Sequence, residues 1–137
     1  MDEHDPVDDR EFVYRRIHRT FFDSSLPIPI RVGAFRPNPN DTTGLSVVRA
    51  DFGPPTTILA AIDPLRANEY HIAQLSVADL RRLGLSVIPD PVPSGPRGHA
   101  VIPELSWPAY QARKQALKLV LVELTKLASA KIVHVAT

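Results

Sequence analysis

The chain has 137 residues, and its 16 basic and 15 acidic side chains leave a net charge of +1. That length suits one domain with a substantial core, and 44% apolar and 23% charged residues are ordinary values for a globular protein. The absence of cysteine excludes disulfides, thiolate catalysis and cysteine zinc sites. With no signal peptide and no apolar run of membrane-spanning length in the sequence, we expect a cytoplasmic protein that does not bind membranes.

Charge is unevenly distributed along the chain. Residues 1–10 hold five acidic side chains and one arginine, whereas residues 11–137 hold 15 basic and 10 acidic ones. We therefore expect residues 1–10 to be a flexible, solvated tail that the fold does not need, followed by one globular domain over residues 11–137. The positive charge of that domain is small, so we do not expect nucleic acid as a partner.

The first half of the chain predicts two strands separated by a long connection. "FVYRRIH" (Phe12–His18) is rich in aromatic and β-branched residues and predicts the first strand. Residues 19–44 form a proline-rich connection, and loops of that length in small domains are usually functional. "LSVVRA" (Leu45–Ala50) predicts the second strand, and "TTILAAI" predicts a short helix capped by Thr56.

The second half predicts four more strands and two helices. Tyr70–Leu75 is a strand, and it leads into a short helix with Ser76 as N-cap and Gly84 at the left-handed position after its end. "LSVIPD" and "HAVIPEL" follow as the fourth and fifth strands, and "KIVHV" closes the chain as the last. Between them, apolar residues at three- and four-residue steps predict one helix over Trp107–Ser129.

These elements predict an α+β (mixed α/β) fold. We expect a mixed, mainly antiparallel sheet of about six short strands, packed by one long C-terminal helix and by one or two short helices. In "GAFRPNPNDTTGLSVVRADF", we expect Phe35 to point inward, Pro37 and Pro39 to stiffen the backbone, and Gly44 to turn the chain into the second strand.

Arginine is concentrated in the first third of the chain. The guanidinium group binds phosphate in a bidentate manner, so Arg15 or Arg16 on the first strand and Arg36 on the loop could frame a pyrophosphate or another anion. The alternative, which we favour from sequence, is that acids pair with these arginines and clamp the loop. The candidate acids are Asp23, Asp41 and Asp51.

The sequence contains no sharp catalytic motif. It lacks a glycine-rich phosphate loop, a nucleophile elbow and a histidine pair at the helical spacing of a metal site. Four histidines fall in or beside predicted strands, and they would bind a metal only if they converged. Since a lone strand histidine is more often hydrogen-bonded within the fold, we assign no metal site. The four are His18, His71, His99 and His134.

Two family resemblances are carried by the same stretches. Over residues 12–137, the pattern "YRR", "AFRPNP", "LSV", "LGLSVIPDP" and "GHAVI" resembles a set of small bacterial proteins for which no activity is implied. A more distant resemblance is to the Arg-Glu-Ser domain family, whose members are NAD-consuming toxins of the ADP-ribosyltransferase type. It rests on an arginine-bearing strand, "GAFRPNPNDTTG", a short apolar strand, a helix of small residues and "YHIAQLSVADLRRLGL".

The second resemblance implies a cleft between the first two strands that holds NAD. In that family an arginine binds the phosphates, an aromatic residue on the second strand holds the ribose region, and a glutamate on the next helix polarises the ribose. Here Arg15 or Arg16, together with Arg36, would take the place of the arginine. The second strand offers Ser46 and no aromatic residue, and "TTILAAIDPLRA" contains no glutamate.

Cleavage of NAD needs a fixed negative charge beside an oxocarbenium-like transition state, and that charge is missing from the expected position. We therefore predict a non-catalytic binding or accessory domain of a bacterial operon, of the toxin–antitoxin or defence type, with no cofactor. Its expected partners are a protein from the same operon or a small anionic ligand. The candidate ligand-binding residues are Arg15, Arg16, Arg36 and Ser46, and no catalytic residue is assigned. The alternative is an NAD-consuming or ADP-ribosyl-transferring enzyme whose acid comes from another position.

Overall fold

A six-stranded sheet organises the whole chain. The computed structural model describes residues Met1–Thr137. The strands are β1 Phe12–His18, β2 Leu45–Arg49, β3 Tyr70–Ser76, β4 Ile88–Pro89, β5 His99–Ile102 and β6 Ile132–His134, and their spatial order is β4-β5-β2-β1-β3-β6. The helices are α1 Val77–Arg82, α2 Trp107–Ala112 and α3 Lys114–Ser129.

The α+β fold predicted from the sequence is confirmed. All five strand pairings are antiparallel, so the sheet has no parallel component. β1 has the bounds predicted for it, because its aromatic and β-branched residues can pair along their full length with β3. The predicted fourth strand shrinks to Ile88–Pro89, since the prolines that follow cannot donate to a ladder.

The main core lies on one face of the sheet, and helix α3 covers it. Alternation along β1 places Val13 and Ile17 in this core, where they join Phe35 from the long connection and Leu121 from α3. Phe35 is fully buried, which confirms the prediction that its side chain points inward. A smaller apolar cluster occupies the opposite face of the sheet. It consists of Tyr14, Val48, Ile58 and Ile72.

The helices differ from their predictions in two ways. Ser76 caps α1 as expected, with its hydroxyl 3.4 Å from the Asp79 amide, and Gly84 has a φ of +81°. The helix predicted over Trp107–Ser129 is two helices, which are separated at Arg113, where φ is −134° and ψ is 31°. Neither glycine nor proline marks this break, so the sequence pattern did not reveal it.

The segment predicted to be a helix capped by Thr56 is a 3-10 helix over Pro55–Ala61. Its N-cap is Pro54, which offers no side-chain acceptor, so the predicted cap is wrong. The neighbouring Thr57 hydroxyl instead donates to the Pro54 carbonyl oxygen at 2.7 Å. Ile58 anchors this segment in the smaller cluster, so the segment covers the second face of the sheet.

Residues 1–10 pack against the body of the protein, in contrast to the solvated tail that their charge predicted. Val7 is only 6% exposed and belongs to the main core. The Glu3 carboxylate accepts from the Gly98 amide at 2.8 Å, and the Asp5 carbonyl oxygen accepts from the Arg49 guanidinium at 2.8 Å. One apolar residue, acidic side chains and several backbone acceptors hold the segment, and its net charge does not show which of them find partners.

None of the helices combines the length and the hydropathy that crossing a membrane would require.

Candidate ligand-binding cleft

A cleft opens on the sheet where β1 and β2 part. The two strands share only two residue pairs, Val13 with Arg49 and Tyr14 with Val48, whereas β1 pairs with β3 from end to end. Beyond Tyr14 no backbone pairs join the two strands. Instead, the Arg15 side chain on β1 donates a hydrogen bond to the Ser46 carbonyl oxygen on β2. The cleft has a volume of about 460 Å³, which is within the range of small-molecule sites.

All four residues predicted to bind a ligand line this cleft. Arg15 and Arg16 come from β1, Arg36 follows the short 3-10 turn Val32–Phe35, and Ser46 is an exposed residue of β2. The structure therefore brings together side chains that are 31 residues apart in the chain.

Arg15 is held rigidly at the base of the cleft. Its Nη1 donates to the Ser46 carbonyl oxygen and its Nη2 donates to the Ala34 carbonyl oxygen, each at 2.9 Å. Its Nε is buried and has no hydrogen-bond partner. Burial, reinforced by Arg16 and opposed by Asp41, lowers the pKa of Arg15 to about 10, so the guanidinium remains charged at neutral pH.

Arg16 and Arg36 are exposed and extend the positive charge along the cleft. The Arg16 guanidinium lies 5.3 Å from the centre of the Tyr70 ring, a cation–π contact that orients it. The Arg36 side chain forms no ion pair. Its backbone amide bonds the Gly33 carbonyl oxygen at 3.3 Å, which fixes where the side chain leaves the loop.

The acid clamp favoured from the sequence is wrong for the three arginines of the cleft. Each ion pair within 4.0 Å in the structure involves other cations, and none includes Arg15, Arg16 or Arg36. Asp23 faces Arg31 at 3.7 Å, and an Asp41 carboxylate oxygen accepts from the Asn38 amide at 2.9 Å. The loop is held by its own turns and by buried Phe35. None of the three cleft arginines is neutralised by an ion pair.

Arg49, at the end of β2, is paired within the fold and does not line the cleft. It is fully buried, and its Nε and Nη2 bond the two carboxylate oxygens of Glu11 at 2.8 Å and 2.9 Å. Its charge is thereby satisfied away from the cleft.

His99 is a cleft residue whose role the sequence did not reveal. It lies on β5, and its Nε2 is 3.1 Å from the Ser46 hydroxyl oxygen. From the sequence, this histidine was expected to be hydrogen-bonded within the fold, with metal binding as the alternative. Strand pairing between β2 and β5 creates the contact, and no local motif carries that information.

The other strand histidines have separate partners. His18 bonds Glu69 at 2.9 Å, an interaction that lowers the pKa of that carboxyl. His71 stacks on Phe22 with ring centres 3.9 Å apart, and its pKa is lowered by burial and by the nearby His134. The structure contains no group of three or more histidine or carboxylate side chains that could hold a metal ion.

No family model, curated protein or solved structure matches this chain.

Proposed function

We propose that this chain is a binding domain whose cleft takes a small ligand that carries phosphate groups. One observation carries the proposal: Arg15, Arg16 and Arg36 line a single cleft without an ion pair to any acid. Gathering like charges costs free energy unless an anion offsets it. Guanidinium groups match phosphate oxygens in geometry and in charge, which makes phosphate the anion that this arrangement favours.

The remaining walls of the cleft suit an organic group attached to the phosphate. Tyr70 and Phe21 contribute aromatic surface, and Val47 contributes apolar surface. A ligand with a charged end and a flat, partly apolar end would therefore fit both parts of the cleft. A phosphorylated nucleoside has this chemistry. The setting predicted from the resemblance, an operon with a protein partner, stays a prediction.

The binding proposal is tested by thermal melting in the presence of ADP-ribose and of inorganic pyrophosphate. A ligand that binds only the folded state stabilises it by about 2.7 kcal/mol at 100 times its dissociation constant. We expect a rise in melting temperature that grows with ligand concentration and that is lost in Arg36→Ala.

Arg82→Ala is the matched control, because Arg82 is an arginine with a 74% exposed side chain on α1, outside the cleft. It should respond to ligand as the unaltered protein does. No concentration-dependent rise with either ligand, or an equal rise in Arg36→Ala, would contradict the proposal.

The alternative function is cleavage of NAD, as the family resemblance implies. That reaction needs a carboxylate beside the ribose, and Asp41 is the one acidic residue that lines the cleft. Release of nicotinamide from NAD that was lost in Asp41→Asn would support this alternative. Binding of ADP-ribose without release of nicotinamide would support a binding domain.

A further inference from the structure

Ser46 and His99 form a hydrogen-bonded pair at the wall of the cleft. In the antiparallel ladder between β2 and β5, His99 is opposite Val48 and Ser46 is opposite Val101, so the two side chains are diagonal neighbours on one face. The Ser46 oxygen is 3.1 Å from His99 Nε2, within the reach required of a nucleophile and its base. Ser46 is exposed to the cleft, so a bound ligand can reach it.

The partner of the other ring nitrogen sets the direction of this bond. His99 Nδ1 is 2.8 Å from the Asp90 carbonyl oxygen, which can only accept a hydrogen bond. In the neutral ring, Nδ1 therefore carries the proton, and Nε2 presents a lone pair. The Ser46 hydroxyl then donates to Nε2, as general-base activation requires. An Asp90 carboxylate oxygen lies 3.4 Å from Nδ1 and favours the positive charge that the ring would acquire.

The backbone before His99 is fixed from both sides. The Gly98 amide donates to the Glu3 carboxylate, and the Gly98 carbonyl oxygen accepts from the Arg49 amide at 2.9 Å. Gly98 has a φ of +84°, and an added Cβ would lie 2.6 Å from the Phe52 ring. A glycine is therefore required at this position, and its backbone bonds fix the start of β5, the strand that carries His99.

Three arginines line the same cleft as the pair. Arg15 donates to the carbonyl oxygen of Ser46 itself, and Arg16 and Arg36 line the same cleft. Because Ser46 lines the same cleft as the three arginines, a phosphoryl group held there is in the compartment that the serine hydroxyl faces. Such groups also stabilise the charge on phosphoryl oxygens during transfer.

We propose that Ser46 is a nucleophile and His99 its general base, and that the cleft transfers a phosphoryl group from a bound phosphate ester to Ser46. This inference rests on the proposed phosphate-binding function and extends it from binding to catalysis. In the first step the Ser46 oxygen forms a bond to phosphorus, and its proton moves to His99 Nε2. The bond from phosphorus to the ester oxygen breaks, and the leaving alcohol takes the proton from His99.

The second step returns the protein to its starting state. Water gives a proton to His99 Nε2 and attacks the phosphoserine, and the Ser46–phosphorus bond breaks. Ser46 recovers its proton from His99, and inorganic phosphate leaves when the ester is a monoester. Water is the only co-reactant.

The test uses diisopropyl fluorophosphate, which labels a serine only when a base activates it. Ser46 would form the bond to phosphorus, and fluoride would leave. We expect one label per chain, located on Ser46 by peptide mass spectrometry. Labelling should be lost in Ser46→Ala and slowed about 100-fold or more in His99→Gln, given the usual contribution of a general base.

Controls separate catalysis from folding. Ser25→Ala removes an exposed hydroxyl that bonds only Asp23 and should label normally. In His99→Ala, added imidazole should restore labelling, an effect that a structural role for the ring would not produce. Melting curves of each variant identify any that fail to fold.

Labelling of another residue, no labelling, or an unchanged rate in a folded His99→Gln variant would each overturn the inference. These failures are distinct from a failure of the binding proposal. Stabilisation by pyrophosphate that survives in Ser46→Ala would leave the phosphate-binding function in place, whether or not Ser46 is labelled.

Discussion

Arg49 shows how a single buried charge is accommodated in this fold. Its side chain is fully buried, and the Glu11 side chain is 4% exposed, so the pair is almost entirely removed from water. The Asp5 carbonyl oxygen adds a further acceptor at 2.8 Å. A buried pair of this kind contributes little beyond the cost of desolvating it, but breaking it leaves one charge without a partner.

The first prediction follows from that asymmetry. Glu11→Gln should lower the free energy of unfolding by about 3–5 kcal/mol, because the Arg49 charge stays buried without its counter-ion. Urea denaturation measures the change. Arg10→Ala is the control, since the Arg10 side chain is 92% exposed and pairs only with Asp8, and it should leave the midpoint close to that of the parent. Equal midpoints for the two variants would contradict the buried pair.

The second prediction concerns the pH dependence of the same pair. Burial raises the pKa of Glu11, but hydrogen bonds from Arg49 and from the Asp8 amide outweigh burial and lower it below the ordinary value of 4.5. The stabilisation is therefore complete above the unfolded-state pKa and is lost as pH falls through the folded-state pKa. Melting temperature should fall from about pH 4.5 downward, with a smaller slope in Glu11→Gln. Parallel slopes in the two proteins would show that Glu11 is not the group responsible.

At the scale of elements, α3 is the main cover of the sheet. Its buried residues recur at three- and four-residue steps, as the sequence pattern predicted, and they include Leu117, Leu121 and Leu124. The same helix also carries an apolar residue on its outer side, since Leu119 is 75% exposed. Helix α3 therefore offers an internal comparison between its two faces.

The third prediction uses that comparison. Leu121→Asp should lower the free energy of unfolding by several kcal/mol, because it places an unpaired carboxylate where the side chain is 1% exposed. Leu119→Asp introduces the same charge on the solvated face and should change stability little. Thermal melting of both variants tests the assignment. A Leu121→Asp variant that melts within a few degrees of the parent would mean that α3 does not pack as described.

At the scale of the whole molecule, the N-terminal segment connects distant parts of the fold. Within residues 1–10, Val7 reaches the main core, and an Asp9 carboxylate oxygen pairs with Arg81 on α1. Glu3 holds the Gly98 amide beside the cleft. The segment thus supports both the core and the residue that precedes His99 on β5.

The fourth prediction reverses the expectation drawn from charge alone. A chain that starts at Glu11 should lose more than about 2 kcal/mol of unfolding free energy. It lacks Val7, so the core residues that Val7 covers become exposed, and Arg49 has fewer hydrogen-bond acceptors. Urea denaturation of the truncated and full chains measures the loss. Val7→Ala in the full chain should reproduce part of it. Unchanged stability on truncation would restore the interpretation of residues 1–10 as a dispensable tail.

Local patterns determined the elements of this protein, whereas tertiary pairing determined its site. Strand β1, the Ser76 cap of α1 and the buried stripe of α3 follow from residue periodicity and capping, which act within a few positions of the chain. The sequence also identified Arg15, Arg16, Arg36 and Ser46 as candidates, through residue chemistry and family resemblance. Which charges are neutralised depends on neighbours that are remote in the chain.

Three features were decided only by the tertiary structure. Arg49 pairs with Glu11 across 38 residues, and His99 reaches Ser46 across 53 residues. Residues 1–10 dock because one valine, the Glu3 and Asp9 carboxylates and a few carbonyl groups find partners on the body. Hydrogen bonds and apolar contacts depend on distances of a few ångströms, and for residues this far apart the register of the sheet fixes those distances. Neither composition nor local periodicity contains that register.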